Sequence, residues 1–278
     1  MRLLVGFDGS DGGRDALELA RAIGEPAGAH ALVVAVIPYG PLPVDFRTLE
    51  DDAAREAEPL FEEARERLAG LEVECRAFGG GSAAQVMTDI AETEDVDLIV
   101  VGSPHRGAIG RTLIGSVAES LLHGAPCAVV VAPRDYASGR HDPFLRIAVA
   151  YDGAPESKAA LRRAEALATQ TNATLEIVTV VAPPVAMPGM VGYVPVDPPE
   201  PDKILNEAIH SVDSGLAVTG RRLDGPPART LAEACEDGVD LLVAGSRRYG
   251  PVTRVLLGSV STQLIHLAPC PVLVVPRP

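Results

Sequence analysis

The sequence predicts an α/β protein of two doubly wound, five-stranded parallel-sheet domains, and three observations carry that expectation. The chain repeats itself across its midpoint, each half alternates short apolar runs with helix-spaced segments, and most of those runs are apolar on both faces. A run without polar alternation is a strand buried on both sides, which means a parallel sheet covered by helices. Right-handed crossovers then give three layers.

The repeat is explicit. RLLVGFDG at 2–9 aligns with RIAVAYDG at 146–153, with Asp8 and Asp152 at 144 positions' separation. VDLIVVGS at 96–103 aligns with VDLLVAGS at 239–246, now 143 positions apart, so one single-residue indel separates the blocks. LIGSV at 113–117 matches LLGSV at 256–260, and Ala125-Pro126-Cys127 matches Ala268-Pro269-Cys270. Two copies of about 139 residues make up the 278, each an ordinary domain size. The first domain is placed at 1–135 and the second at 144–278, joined by the polar stretch Pro133 to Pro143.

In the first copy, residues 2–7 read as a strand, and Ala16, Leu17, Ala20 and Ile23 give helical spacing over 13–23. A strand follows at 31–37, an Ala/Glu/Arg-rich helix at 49–69, and a strand at 71–78. Then come a helix at 83–91, a strand at 97–101, a helix at 116–123 and a strand at 128–131. The second copy repeats the order at 146–151, 157–168, 174–181, 202–214, 217–223, 228–236, 240–244, 259–266 and 271–275. Two loop-like stretches, 38–45 and 183–201, occupy the same place in each repeat, after the second strand.

Composition narrows the partner. With 24 basic and 38 acidic residues the net charge is −14, which does not attract a phosphate backbone and argues against nucleic acid. Tryptophan is absent and aromatics are 4%, so bases find few stacking platforms. The four cysteines show no CxxC pairing and the six histidines no metal spacing, so neither a disulfide framework, a metal site nor a Cys–His nucleophile is expected. Asp8 interrupts the N-terminal apolar run before a signal-peptide core forms, and no run approaches the ~20 uncharged residues of a membrane span. These features predict a cytoplasmic protein with no membrane partner.

Ligands of an open parallel sheet bind beyond the C-terminal strand ends. Asp8 and Asp152 stand at one such end in each copy, where a carboxylate could accept hydrogen bonds from ribose hydroxyls or cap the following helix. Gly102 and Gly245 end the fourth strands, and Gly115-Ser116 and Gly258-Ser259 open the helices that follow. Free amides and the helix dipole make such an opening a phosphate site. Ser116-Val-Ala-Glu119 also reads as a plain capping box.

These residues resemble the universal stress protein family in its tandem two-domain form, over nearly the whole chain. The family signature is Gly, two residues, Gly, nine residues, then Gly with Ser or Thr. The copies here run from Gly102 to Gly115-Ser116 and from Gly245 to Gly258-Ser259, with the outer glycines and spacing kept. His105 and Arg248 replace the second glycine. The resemblance implies the strand order 3-2-1-4-5, pairing of the last strands into an intramolecular pseudo-dimer with room for further homodimerisation, and a regulatory, non-enzymatic, ATP-binding role in stress adaptation. It carries adenine and ribose contacts onto Phe7, Asp8 and Val36, and onto Tyr151, Asp152 and Val180. Phosphate contacts fall on Gly102, Gly115, Ser116 and Val117, and on Gly245, Gly258, Ser259 and Val260. His105, or Arg247 with Arg248, either grips a phosphate or fills the site and leaves a nucleotide-free interaction protein. The first 139 residues carry 11 basic and 23 acidic groups, net −12, against −2 for the rest, so the second site is expected to receive a polyanion more readily.

Overall fold

The computed structural model describes residues 1–38, 46–103, 115–139, 141, 144–182, 200–213, 215–246 and 258–276. The first repeat runs β1 (Arg2–Gly6), α1 (Asp11–Ala27), β2 (His30–Ile37), α2 (Phe46–Arg67), β3 (Glu72–Gly79), α3 (Ala83–Thr93), β4 (Leu98–Gly102), α4 (Ser116–Gly124) and β5 (Ala128–Ala132). The second runs β6 (Arg146–Ala150), α5 (Pro155–Thr171), β7 (Thr174–Val181), α6 (Pro201–Ser211), β8 (Val218–Asp224), α7 (Pro227–Cys235), β9 (Leu241–Gly245), α8 (Ser259–Leu267) and β10 (Val272–Val275). Every expected element is present.

α1 is longer than its apolar stripe at both ends. Ser10 Oγ accepts from the Gly13 amide at 3.1 Å, so the helix begins at Asp11, and Gly28 closes it in the left-handed region at φ 55°. Capping, not hydrophobic spacing, sets both limits.

One ten-stranded sheet passes through both repeats in the order β3-β2-β1-β4-β5-β10-β9-β6-β7-β8. Each half has the order 3-2-1-4-5 with parallel pairings, and the halves meet where β10 pairs antiparallel with β5. There Val272, Leu273 and Val274 face Val131, Val130 and Val129. All of these are buried, so the seam is continuous core. On one face Leu3, Val5 and Val33 pack with α1, α2, α5 and α6; on the other Leu4, Leu32 and Ile99 pack with α3, α4, α7 and α8.

The polar linker is held down, which its composition did not foretell. Asp15, Glu18 and Arg21 of α1 are all buried. Asp15 accepts from the Ala137 amide at 2.7 Å and Glu18 from the His141 amide at 2.8 Å. Arg21 donates to the His141 carbonyl at 2.6 Å and forks onto Glu18 at 2.7 and 3.1 Å. Tyr136 and His141 stack with ring centroids 3.7 Å apart. Buried charges persist where every one is paired and hydrogen-bonded, and here they are satisfied by linker backbone.

Candidate functional site

Each repeat opens a cavity at the C-terminal strand ends, between its first and fourth strands. The first holds about 270 Å³ and the second about 280 Å³. The first is lined by Phe7, Asp8, Val36, Gly102, Gly115, Ser116 and Val117, so seven sequence-selected residues meet at one place. In the second, Tyr151, Asp152, Val180, Gly245, Gly258 and Val260 line the wall. Ser259 opens α8 with its side chain exposed and stands outside that wall. His105, Arg247 and Arg248 lie outside the described residues.

Local sequence puts each group there. Gly9 and Gly153 turn the chain from strand to helix at φ 76° and 80°, a region open to glycine, which leaves the preceding aspartate at the cavity rim. Asp8 Oδ1 accepts from the Ser10 amide at 3.0 Å and from its hydroxyl at 2.5 Å; Asp152 Oδ1 accepts from the Ala154 amide at 3.0 Å. These are turns of the carboxylate onto its own loop. Neither aspartate is the helix cap, because Ser10 and Ala154 hold those positions.

The alternative of a capping box at Ser116 and Glu119 is corrected by the geometry. Gly115 is the N-cap of α4, in extended backbone at φ −66°, ψ 150°, and no side chain caps the helix. Ser116 is the first helical residue. Gly258 does the same for α8, where Thr262 Oγ1 instead donates to the Gly258 carbonyl at 3.1 Å. A helix start without a side-chain cap leaves its first amides pointing outward with the positive dipole end behind them. At α4 those amides belong to Ser116, Val117 and Ala118, all at the first cavity wall.

Gly102 and Gly245 serve packing as well as access. A Cβ on Gly102 would overlap the Gly12 carbonyl oxygen, and one on Gly245 would lie 2.6 Å from that of Glu156. Glycine lets the first helix of each repeat press directly on the fourth strand, which narrows the cavity base.

Several wall residues escaped the sequence reading. Ala83 and Met87 come from α3 and Pro227 and Leu231 from α7, and each pair recurs at the 144-residue offset. That recurrence is the signal that could have found them. Ser103, next to Gly102, is 1% exposed and lines the first cavity. Burial raises the Tyr151 hydroxyl above its ordinary value, with Asp152 adding to the shift. Among the described residues no three His, Cys, Asp or Glu side chains cluster as a metal would require, and no helix is long and apolar enough to cross a membrane.

Fold and cavities together define a class: tandem doubly wound domains, each with a strand-end cavity beside an acidic rim and an uncapped helix start. The sequence profile of the universal stress protein family matches residues 1–133 and again 143–276. Universal stress protein Rv2319c of Mycobacterium tuberculosis is 30% identical over 246 residues, spanning 81% of this chain and 78% of that protein. A universal stress protein of Mycolicibacterium smegmatis is 29% identical over 88% of this chain and 84% of its own length. The crystal structure of a universal stress protein from Archaeoglobus fulgidus superposes with a TM-score of 0.76 at 25% identity, covering 100% of this chain and 98% of that one. The chain belongs to the universal stress protein family.

Proposed function

We propose that this protein binds an adenine nucleotide, ATP foremost, in its strand-end cavities, and acts as a non-catalytic cytoplasmic regulator in stress adaptation. The observation that carries the reading is the uncapped start of α4, whose Ser116, Val117 and Ala118 stand at the wall of the cavity that Asp8 rims. Amides and a helix dipole suit phosphate, and a carboxylate at the rim suits ribose hydroxyls or an adenine amine. Val34, Val36 and Met87 supply the apolar wall a purine ring needs.

A thermal-shift panel of ATP, ADP and cyclic nucleotides, with and without magnesium, tests this directly, because a ligand of the folded state raises apparent stability by mass action. Nucleotide released on denaturation of the purified protein, identified by mass spectrometry, is the second expected result. No shift with any nucleotide and no copurified ligand would refute the proposal.

A further inference from the structure

Ser103 stands in the first cavity wall with its hydroxyl uncommitted. The residue is 1% exposed, and among the described residues its Oγ has no hydrogen-bond partner. A buried hydroxyl left unpaired destabilises the unliganded fold, so its presence in a cavity wall points to a partner that arrives from outside.

The strand fixes where the hydroxyl points. Val101 belongs to the core beneath α4, with Ala118, Leu121 and Leu122, whereas a Cβ on Gly102 would point at the Gly12 carbonyl of α1. The Ser103 amide donates to the Ala132 carbonyl at 3.2 Å, so pairing with β5 continues one residue past β4. Side chains alternate along such backbone, which returns Ser103 to the face of Val101, the face that α4 covers. There α4 begins at Ser116 with no side-chain cap, and Ser116, Val117 and Ala118 line the same wall. Hydroxyl and helix amides therefore converge on one place from strand and helix.

All of these groups can donate, and the positive dipole end lies behind the amides. A ribose hydroxyl would satisfy the serine and leave the dipole without a charge to meet. A phosphate, with several anionic oxygens, accepts from serine and amides together. The second repeat is built differently here. Ser261, at the position of Ala118, donates from α8 to the Gly245 carbonyl at 2.9 Å, a bond that alanine does not make. Ser246, the counterpart of Ser103, is buried but does not line the second cavity.

We infer that Ser103 is the residue with which the first cavity tells a nucleotide from a nucleoside: its hydroxyl donates to a phosphate oxygen seated at the start of α4. This rests on the nucleotide reading above and adds the side chain that selects for phosphate. Adenosine, which lacks that oxygen, gains nothing from the serine.

Met87 gives a readout confined to this cavity, because its counterpart in the second wall is Leu231. The full chain, carrying 13C-labelled methionine methyl groups, is titrated with ATP and separately with adenosine, and each Kd is read from the Met87 signal. Wild type is expected to bind ATP more tightly than adenosine. Ser103→Ala should raise the ATP Kd at least about tenfold, the effect of losing one hydrogen bond to a charged group. Its adenosine Kd should stay at the wild-type value. Unliganded Ser103→Ala should also melt no lower than wild type, since the variant removes an unpaired buried hydroxyl. An unchanged ATP Kd, equal weakening of both ligands, wild-type adenosine binding as tight as ATP, or a lower melting temperature each overturns the inference while nucleotide binding stands. No response of Met87 to either ligand overturns the nucleotide reading of this cavity and the inference with it.

Discussion

Gly102 and Gly12 meet backbone to backbone: the space a Cβ on Gly102 would fill is occupied by the Gly12 carbonyl oxygen, and a Cβ on Gly12 would lie 2.5 Å from the Ser103 carbonyl oxygen. Strand β4 and helix α1 therefore approach as closely as main chains allow. Gly102→Ala is expected to cost at least about 3 kcal/mol, because the clash is with backbone that has no rotamer to yield. Chemical denaturation measures it, and an unchanged midpoint would remove packing as the reason for this glycine.

Arg21 sits between two carboxylates and the linker carbonyl of His141. Arg21→Ala leaves Glu18 buried without its counter-charge, so a loss of about 3 kcal/mol is expected. The loss should come with faster amide exchange at Ala137 and His141. Global destabilisation without that local change would show that the linker is held by other contacts.

Acid should act on the same cluster. Burial raises the Glu18 carboxyl, but Arg21 and the His141 amide outweigh it and hold the group below its ordinary value. A depressed carboxylate contributes stability that is full above its unfolded pKa, about 4.3, and is lost as pH falls through the lower folded value. Glu18→Gln should flatten the fall in stability below about pH 4.3, and an unaltered acid slope would contradict this.

Asp8 is expected to separate loop geometry from ligand contact. Asp8→Asn retains an oxygen for the Ser10 amide and hydroxyl but loses the negative charge. Affinity for ATP should fall about tenfold with the melting temperature nearly unchanged. Equal affinity would remove Asp8 from the ligand contacts.

The thiols should be slow. Burial pushes Cys127 up to about 11, and Cys270 is raised by its hydrogen bond to Cys235 and by burial. Cys75 is raised by burial too. Since the thiolate is the nucleophile, the folded protein should react slowly with a disulfide reagent at pH 8, and all four cysteines rapidly once unfolded. Fast reaction of the native protein would contradict that ordering.

Much of the site was legible because its residues recur at matching strand ends. Phe7 and Asp8 directly follow β1, Gly102 ends β4, and Gly115-Ser116 opens α4, each beside a local turn signal. Met87 and Ser103 were not legible. Met87 reads as one more apolar residue of an amphipathic helix, and which end of that helix meets the cavity depends on packing. The capping box failed for a related reason: Ser116 and Glu119 have its spacing, yet Gly115 takes the cap position and moves Ser116 into the first turn.

From the residues alone came the duplication, the order of strands and helices, and the strand ends at which chemistry gathers, because periodicity and turn residues act over short stretches of chain. Tertiary structure decided the rest. It set the antiparallel seam of Val129 to Val131 against Val272 to Val274, the anchoring of the linker by Asp15, Glu18 and Arg21, and the meeting of Met87 and Ser103 with Asp8 at one cavity wall. Each joins residues far apart in sequence, and such contacts become specified when the whole core packs.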